Sequence, residues 1–268
     1  MLAPIPSLTE PSRLETPVTL AAVSELLVQT GRLLLECGGE ISRVEETLVR
    51  MGHAVGVPSV HVLCTPTAIN FSLIRGEEIL TRVLAVRKRG IFLAKVADIN
   101  EVSRELEDGR LDLPTAAAAI ECIAQRPPEY PNALSFLSRG ASSACWAMLL
   151  GGGLIDFVPA MLCGFIVHLV SSRMAKFMPD FLATFFAALF ATAFAVAVPH
   201  INHHFHEGAM VVGVIIPLVP GMALTGAVRD LIAGDLVSGV ALTAEALLCA
   251  SAIAAGVASV LSIHRGIL

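Results

Sequence analysis

At 268 residues, 55% of them hydrophobic, with a mean hydropathy of +0.75, the chain is too apolar for a soluble protein of ordinary composition and reads as an integral membrane protein. Its net charge of -5 is modest and its basic residues gather on no one segment, which argues against nucleic acid as a partner. The six cysteines, at 37, 64, 122, 145, 163 and 249, include no CxxC pair, so a disulfide framework is not expected and no pattern calls for a cofactor.

The charges are shared unevenly, 30 of the 41 lying in residues 1–132. The expected fold is therefore a small α+β cytoplasmic domain followed by an α-helical integral membrane domain of about five transmembrane helices. Residues 1–17, with four prolines and no periodic pattern, read as a flexible lead-in. That lead-in has no basic segment followed by an apolar run, so it does not read as a signal peptide and the soluble part is expected to stay in the cytoplasm.

The α+β domain is expected over 18–132. From Val18 the apolar positions Leu20, Val23, Leu26, Leu27, Leu33 and Leu34 recur at helical spacing, and Gly38-Gly39 can end that helix. A second helix is expected from about Glu40 to Ala54. Ser59–Cys64, Ala68–Ile74 and Ile79–Val86 alternate and are rich in β-branched residues, so they predict three antiparallel strands, the last ending in Arg87-Lys88-Arg89-Gly90. Two helices follow, about Val96–Glu107 and Pro114–Gln125, and Pro127-Pro128 with Pro131 closes the domain.

The membrane domain is expected over 133–268, with spans at about 133–152, 154–172, 180–199, 208–229 and 236–262, each near the ~20 residues that cross a bilayer. Arg126, Arg139, Arg173, Lys176 and Arg229 all flank one side, which orients the N-terminal domain inside and the C-terminus outside.

Within that domain the stretch Ile215–Ser238, IIPLVPGMALTGAVRDLIAGDLVS, is the candidate working site. Pro217 and Pro220 remove backbone donors and break a helix, and broken backbone at bilayer depth is tolerated where it lines a cavity. Thr225 adds a hydroxyl, and Gly221 with Gly226 permits close approach, so this span could line a polar route; equally, the kink could only shape the bundle. Arg229, Asp230 and Asp235 stand at its inner end. Glu245, about ten residues into the next span, should face a partner or water rather than lipid. Arg139 either snorkels to the inner surface or attracts a carboxylate-bearing substrate.

Asp156 falls at the hairpin after Gly151-Gly152-Gly153. The loop 199–207 carries four histidines, His200, His203, His204 and His206, whose spacing matches no closed metal site, so it is expected to be a solvated loop that gains charge in acid. In the soluble domain, Glu40 and Arg43 are spaced for a surface ion pair, and no nucleophile, base and orienting group can be assembled around Thr65 and Thr67.

These residues resemble the threonine/serine exporter family. The resemblance rests on Cys37–Thr47 with Gly39, Glu40, Arg43 and Glu45; on Thr65-Pro66-Thr67; on Arg82–Arg87 with Gly90-Ile91; and on Pro217–Gly221 with Arg229-Asp230-Leu231. It departs at Gly39, where the family pattern has alanine.

The resemblance implies a subunit of the split, two-chain type in the bacterial inner membrane, working with a smaller membrane partner. It implies export of threonine and serine or of a C4-dicarboxylate such as succinate, without choosing between them. The rival readings are a membrane-tethered enzyme or regulatory scaffold acting through the soluble domain, and a passive channel.

Overall fold

The computed structural model describes residues 18–86, 90–127, 130–200 and 203–267, which divide into two units, Met1–Gln125 and Arg126–Leu268. The lead-in 1–17, the basic strand end 87–89, Pro128 and loop residues 201–202 lie outside the described residues.

In the first unit, α1 (Leu20–Glu36) starts where the Thr19 hydroxyl accepts the Ala22 N–H at 3.2 Å. It ends at Gly38, whose φ of +84° only glycine adopts freely, and the Gly39 N–H returns to the Leu34 carbonyl at 2.8 Å. Helix α2 (Ile41–Ala54) buries Ile41, Val44, Leu48 and Met51 at helical spacing.

Strands β1 (Ser59–Thr65), β2 (Ala68–Arg75) and β3 (Glu78–Ala85) form an antiparallel sheet in the order β1-β2-β3. Alternation puts Val60, Cys64, Ile69, Phe71 and Leu73 into the core, while Leu63 and Val83 face outward. Helices α3 (Leu93–Glu107) and α4 (Leu113–Gln125) complete the unit. Helix α3 begins three residues before the expected Val96.

The second unit contains α5 (Asn132–Leu149), α6 (Phe157–Met174), α7 (Asp180–Ala197), α8 (Glu207–Ile215), α9 (Gly221–Ala233) and α10 (Leu236–Ile267). Among the described residues three stretches are long and apolar enough to cross a membrane: Leu154–Met174, Asp180–His200 and Leu236–Gly266. Glu207–Leu218 and Gly221–Ala233, bent by 50°, make a fourth if the pair is one span. The expected first span is not among them. Helix α5 stops at Leu149, and Ser135, Ser138, Arg139, Ser142 and Ser143 dilute its apolar character.

Small residues set this unit's packing. A Cβ added at Gly164 would lie 2.9 Å from the Gly140 Cα, and one at Gly213 would lie 2.8 Å from the Ser143 carbonyl, so α6 and α8 both approach α5 closely. On the other side of the unit, a Cβ at Gly256 would meet the Phe185 carbonyl at 2.6 Å, which brings α10 against α7.

Candidate transport site: the broken span and its surroundings

The break follows from the two prolines. Helix α8 gives way to a short 3-10 turn, Ile216–Leu218, that contains Pro217. Val219 is extended, and Pro220 stands at the start of α9 with φ -77° and ψ 58°. The chain turns tightly here, the Val219 N–H donating to the Ile216 carbonyl at 3.1 Å and the Gly221 N–H to the Val219 carbonyl at 2.8 Å. Helix α9 then resumes, with the Leu224 N–H bonded to the Pro220 carbonyl at 3.0 Å.

Pro217, Gly221 and Thr225 are exposed on the bent pair and Pro220 is half-buried. The Thr225 hydroxyl is turned back into its own helix, donating to the carbonyls of Gly221 and Met222 at 3.0 and 3.2 Å. The space beside Gly221 is open, and Gly226 meets only the Leu242 side chain at 3.6 Å. The close approach expected at Gly221 and Gly226 falls instead at Gly239, where an added Cβ would lie 2.6 Å from Leu231.

Beyond the break, Arg229 is exposed and Asp230 is buried where α9 packs on α10. Asp235 caps α10, its Oδ1 accepting the Ser238 N–H at 3.2 Å. Arg139 is exposed on α5, within electrostatic reach of His168.

Contacts between α7 and α10 set how the two helices lie along each other. The His200 and His264 rings pack edge to face at 5.4 Å, Gly256 lies against Phe185 and Leu189, and both Asp180 and Glu245 act electrostatically on Cys249. The two helices therefore run parallel. Glu245 is exposed on α10, one helical turn before Cys249 and nearer the Asp180 end of α7 than its His200 end. The first part of α10 packs on α9.

The motif residues of the first unit hold that unit together. Glu45 Oε1 accepts the Cys64 N–H at 2.6 Å, joining α2 to β1, and exposed Arg43 pairs with half-buried Glu40 at 4.0 Å. The Thr65 hydroxyl accepts the Ala68 N–H at 3.0 Å and donates to the Ala68 carbonyl, closing the β1-β2 turn, and the Thr67 carbonyl accepts the Val86 N–H at 2.7 Å. A Cβ at Gly39 would lie 2.8 Å from the Leu34 carbonyl, so the backbone here leaves room for glycine alone.

Beside this motif is an open depression of about 690 Å³ lined by Glu45, Glu46, Arg50, His53 and Glu107 among others. In the same unit burial pushes the Cys37 thiol up from its ordinary pKa, with Lys95 opposing. Among the described residues no group of three or more His, Cys, Asp or Glu side chains could hold a metal ion.

A family model described as "Putative threonine/serine exporter" matches residues 25–264. The chain belongs to the threonine/serine exporter family. It is 30% identical to the "Probable succinate transporter subunit YjjP" of Escherichia coli K12, over 90% of this chain and 94% of that one.

It is also 24% identical to a "Probable threonine/serine exporter" of Mycobacterium tuberculosis and 25% identical to the "Threonine/serine exporter" of Corynebacterium glutamicum, spanning 45% and 54% of their lengths. No solved structure matches. With its span-length apolar helices, this member of the exporter family is a multi-pass membrane protein.

One connection escaped the sequence reading. Asp156 is fully buried in the link between α5 and α6, where it takes hydrogen bonds from Gly153 and, across 50 residues, from His206. The Gly153-x-x-Asp156 spacing signals a local cap. Nothing local signals His206.

Proposed function

We propose that this chain is one subunit of an inner-membrane secondary exporter that moves small carboxylate-bearing metabolites, threonine and serine or a C4-dicarboxylate such as succinate, out of the cytoplasm with a smaller membrane partner. The observation that carries the reading is the 50° break at Pro217–Pro220 in a span of an exporter-family chain. A discontinuous helix with unwound backbone is how transporters expose polar groups to a solute within the bilayer. Pro217, Pro220, Gly221 and Thr225 lie at the break, with Arg229, Asp230, Asp235 and Glu245 toward the inner mouth and Arg139 on α5 as a further cation for a carboxylate.

The printed name of the Escherichia coli relative, a transporter subunit, supports a second chain, as does the greater length of the two threonine/serine exporter relatives. In this reading the soluble unit is cytoplasmic, the C-terminus is external and the second unit sits in the lipid bilayer.

The test uses everted vesicles holding this chain together with the chain from the same organism that matches the remaining part of the longer relatives. Energised vesicles should accumulate labelled succinate or labelled threonine, and Pro220→Leu should cut the rate. Accumulation of neither, with both chains inserted, sinks the proposal.

The second reading, a membrane-tethered enzyme or regulatory scaffold, draws on the depression beside Glu45 and Glu107. Vesicle transport left intact by Glu46→Gln together with Glu107→Gln would argue against that depression having a part in the cycle.

A further inference from the structure

At the end of the membrane unit that carries the histidine loop, four elements meet through titratable side chains. The Asp156 carboxylate, buried in the α5–α6 link, is the anchor. Its Oδ2 accepts the Gly153 N–H at 2.7 Å and the His206 Nδ1–H at 2.8 Å, and its Oδ1 accepts the His206 backbone N–H at 2.8 Å.

His206 is the residue immediately before α8, so one carboxylate ties the start of the broken span to the α5–α6 link. Glu207, the first residue of α8, brings Oε2 to 3.9 Å from His264 Nε2 near the end of α10. His264 lies edge to face on His200, whose Nδ1–H donates to the Val196 carbonyl at 3.1 Å on α7. The other charged or titratable groups at this end are His203 and His204 in the loop and Arg265 on α10. Helix α5 contributes Cys145, four residues before its end, as the nearest such group.

We propose that these groups form an acid-strengthened clasp, in which protonation of His206 and His264 locks the start of α8 to the α5–α6 link and to the end of α10. A neutral His206 holding its proton on Nδ1 already donates to Asp156. Its side chain is 57% exposed, so the ring can take a second proton from solvent without moving. The contact then becomes a charge-assisted bond between imidazolium and carboxylate, roughly twice as strong as its neutral form.

The sign follows from linkage. An imidazolium against the buried Asp156 carboxylate is the stronger contact, so the clasp tightens in acid and loosens only when Asp156 itself takes a proton. A proton on His264 likewise turns its approach to Glu207 into an ion pair. His200 limits that gain. Two imidazolium rings 5.4 Å apart repel, so charge on His200 works against the contact of His264 with Glu207.

The consequence is mechanical. Helix α8 is the first half of the broken span, and moving its outer end requires His206 to leave Asp156. Acid on this side of the membrane therefore holds that half in place. This depends on neither the substrate nor the partner chain proposed above.

Hydrogen exchange of the full-length chain in detergent tests it, with amide rates for residues 203–210 corrected for intrinsic chemistry at each pH. The opening constant of this segment should fall between pH 8 and pH 5.5, by up to about tenfold per pH unit for one linked proton. His206→Gln, which keeps Asp156's bonds to the two backbone N–H groups, should flatten the dependence. His264→Gln should remove a smaller part and His203→Gln none. An opening constant equal at both pH values in the wild-type chain overturns the proposal, and so does a pH dependence that survives in His206→Gln.

Discussion

The two units build their interiors from different residues. The core of the first is large: Leu20, Leu27, Leu34, Leu48, Met51, Phe71 and Ile99 are all buried. The core of the second is small, with Ala144, Ala147, Ala160, Ala187, Ala191 and Ala195 fully buried while Leu154, Phe177 and Ile232 point outward.

Where water is the alternative, burying a large side chain is the main source of stability, and the first unit hides its leucines as that drive requires. Lipid removes that drive, and helices associate through close packing of small residues, so the second unit places alanine and glycine between helices and leaves its bulk for the surroundings. The same side chain thus has opposite value in the two units. Substitutions that delete volume should damage the first, and substitutions that add volume should damage the second.

The largest effect is expected from Phe71→Ala, which empties a position only 2% exposed at the centre of the sheet. Its cost should be about 3–5 kcal/mol to the first unit, read as a lowered denaturation midpoint of the full-length chain in detergent. A comparable deletion at exposed Leu169 on α6 should leave stability unchanged, and a similar loss at both sites would break the contrast.

Adding volume comes next. Gly256→Leu forces a side chain against the Phe185 carbonyl between α10 and α7, and should cost about 1–3 kcal/mol, read as earlier thermal aggregation. If it is tolerated, the two helices separate freely and small-residue packing does not hold this unit.

How much of this could be read from sequence depends on how local its cause is. The three strands were legible because alternation is a two-residue signal. The break at Pro217–Pro220 was legible for the same reason, since proline acts on its own turn of helix.

The lie of α10 along α7 was not, because it is set by distant contacts at Gly256 and His264. The partner of Asp156 lies 50 residues away and had no local signature either. Glu45 was visible as a motif residue, but its bond to Cys64 needed the packed sheet.

That bond gives a third prediction, confined to the first unit. Glu45→Ala removes the acceptor of the Cys64 N–H where α2 meets β1, and should cost about 1–3 kcal/mol. Faster exchange of the Cys64 amide should accompany it. A loss of transport without any loss of stability would instead mean that Glu45 acts on a ligand in the depression it borders.

The smallest effect tests whether the first unit obeys ordinary aqueous electrostatics. Asp112 caps α4, its Oδ1 accepting the Thr115 N–H at 3.0 Å, and hydrogen bonding from Thr115 holds its carboxyl below the usual aspartate pKa. A depressed folded-state pKa means that the cap's contribution is fully present above the unfolded value of about 3.9 and is lost as pH falls through the lower folded value. Asp112→Ala should therefore cost about 1 kcal/mol or less near neutral pH, since the group is exposed and its charge is screened by solvent. The gap between wild type and variant should close as thermal unfolding is followed from pH 6 to pH 3. A gap that stays constant through that range would mean that shape rather than charge makes the cap.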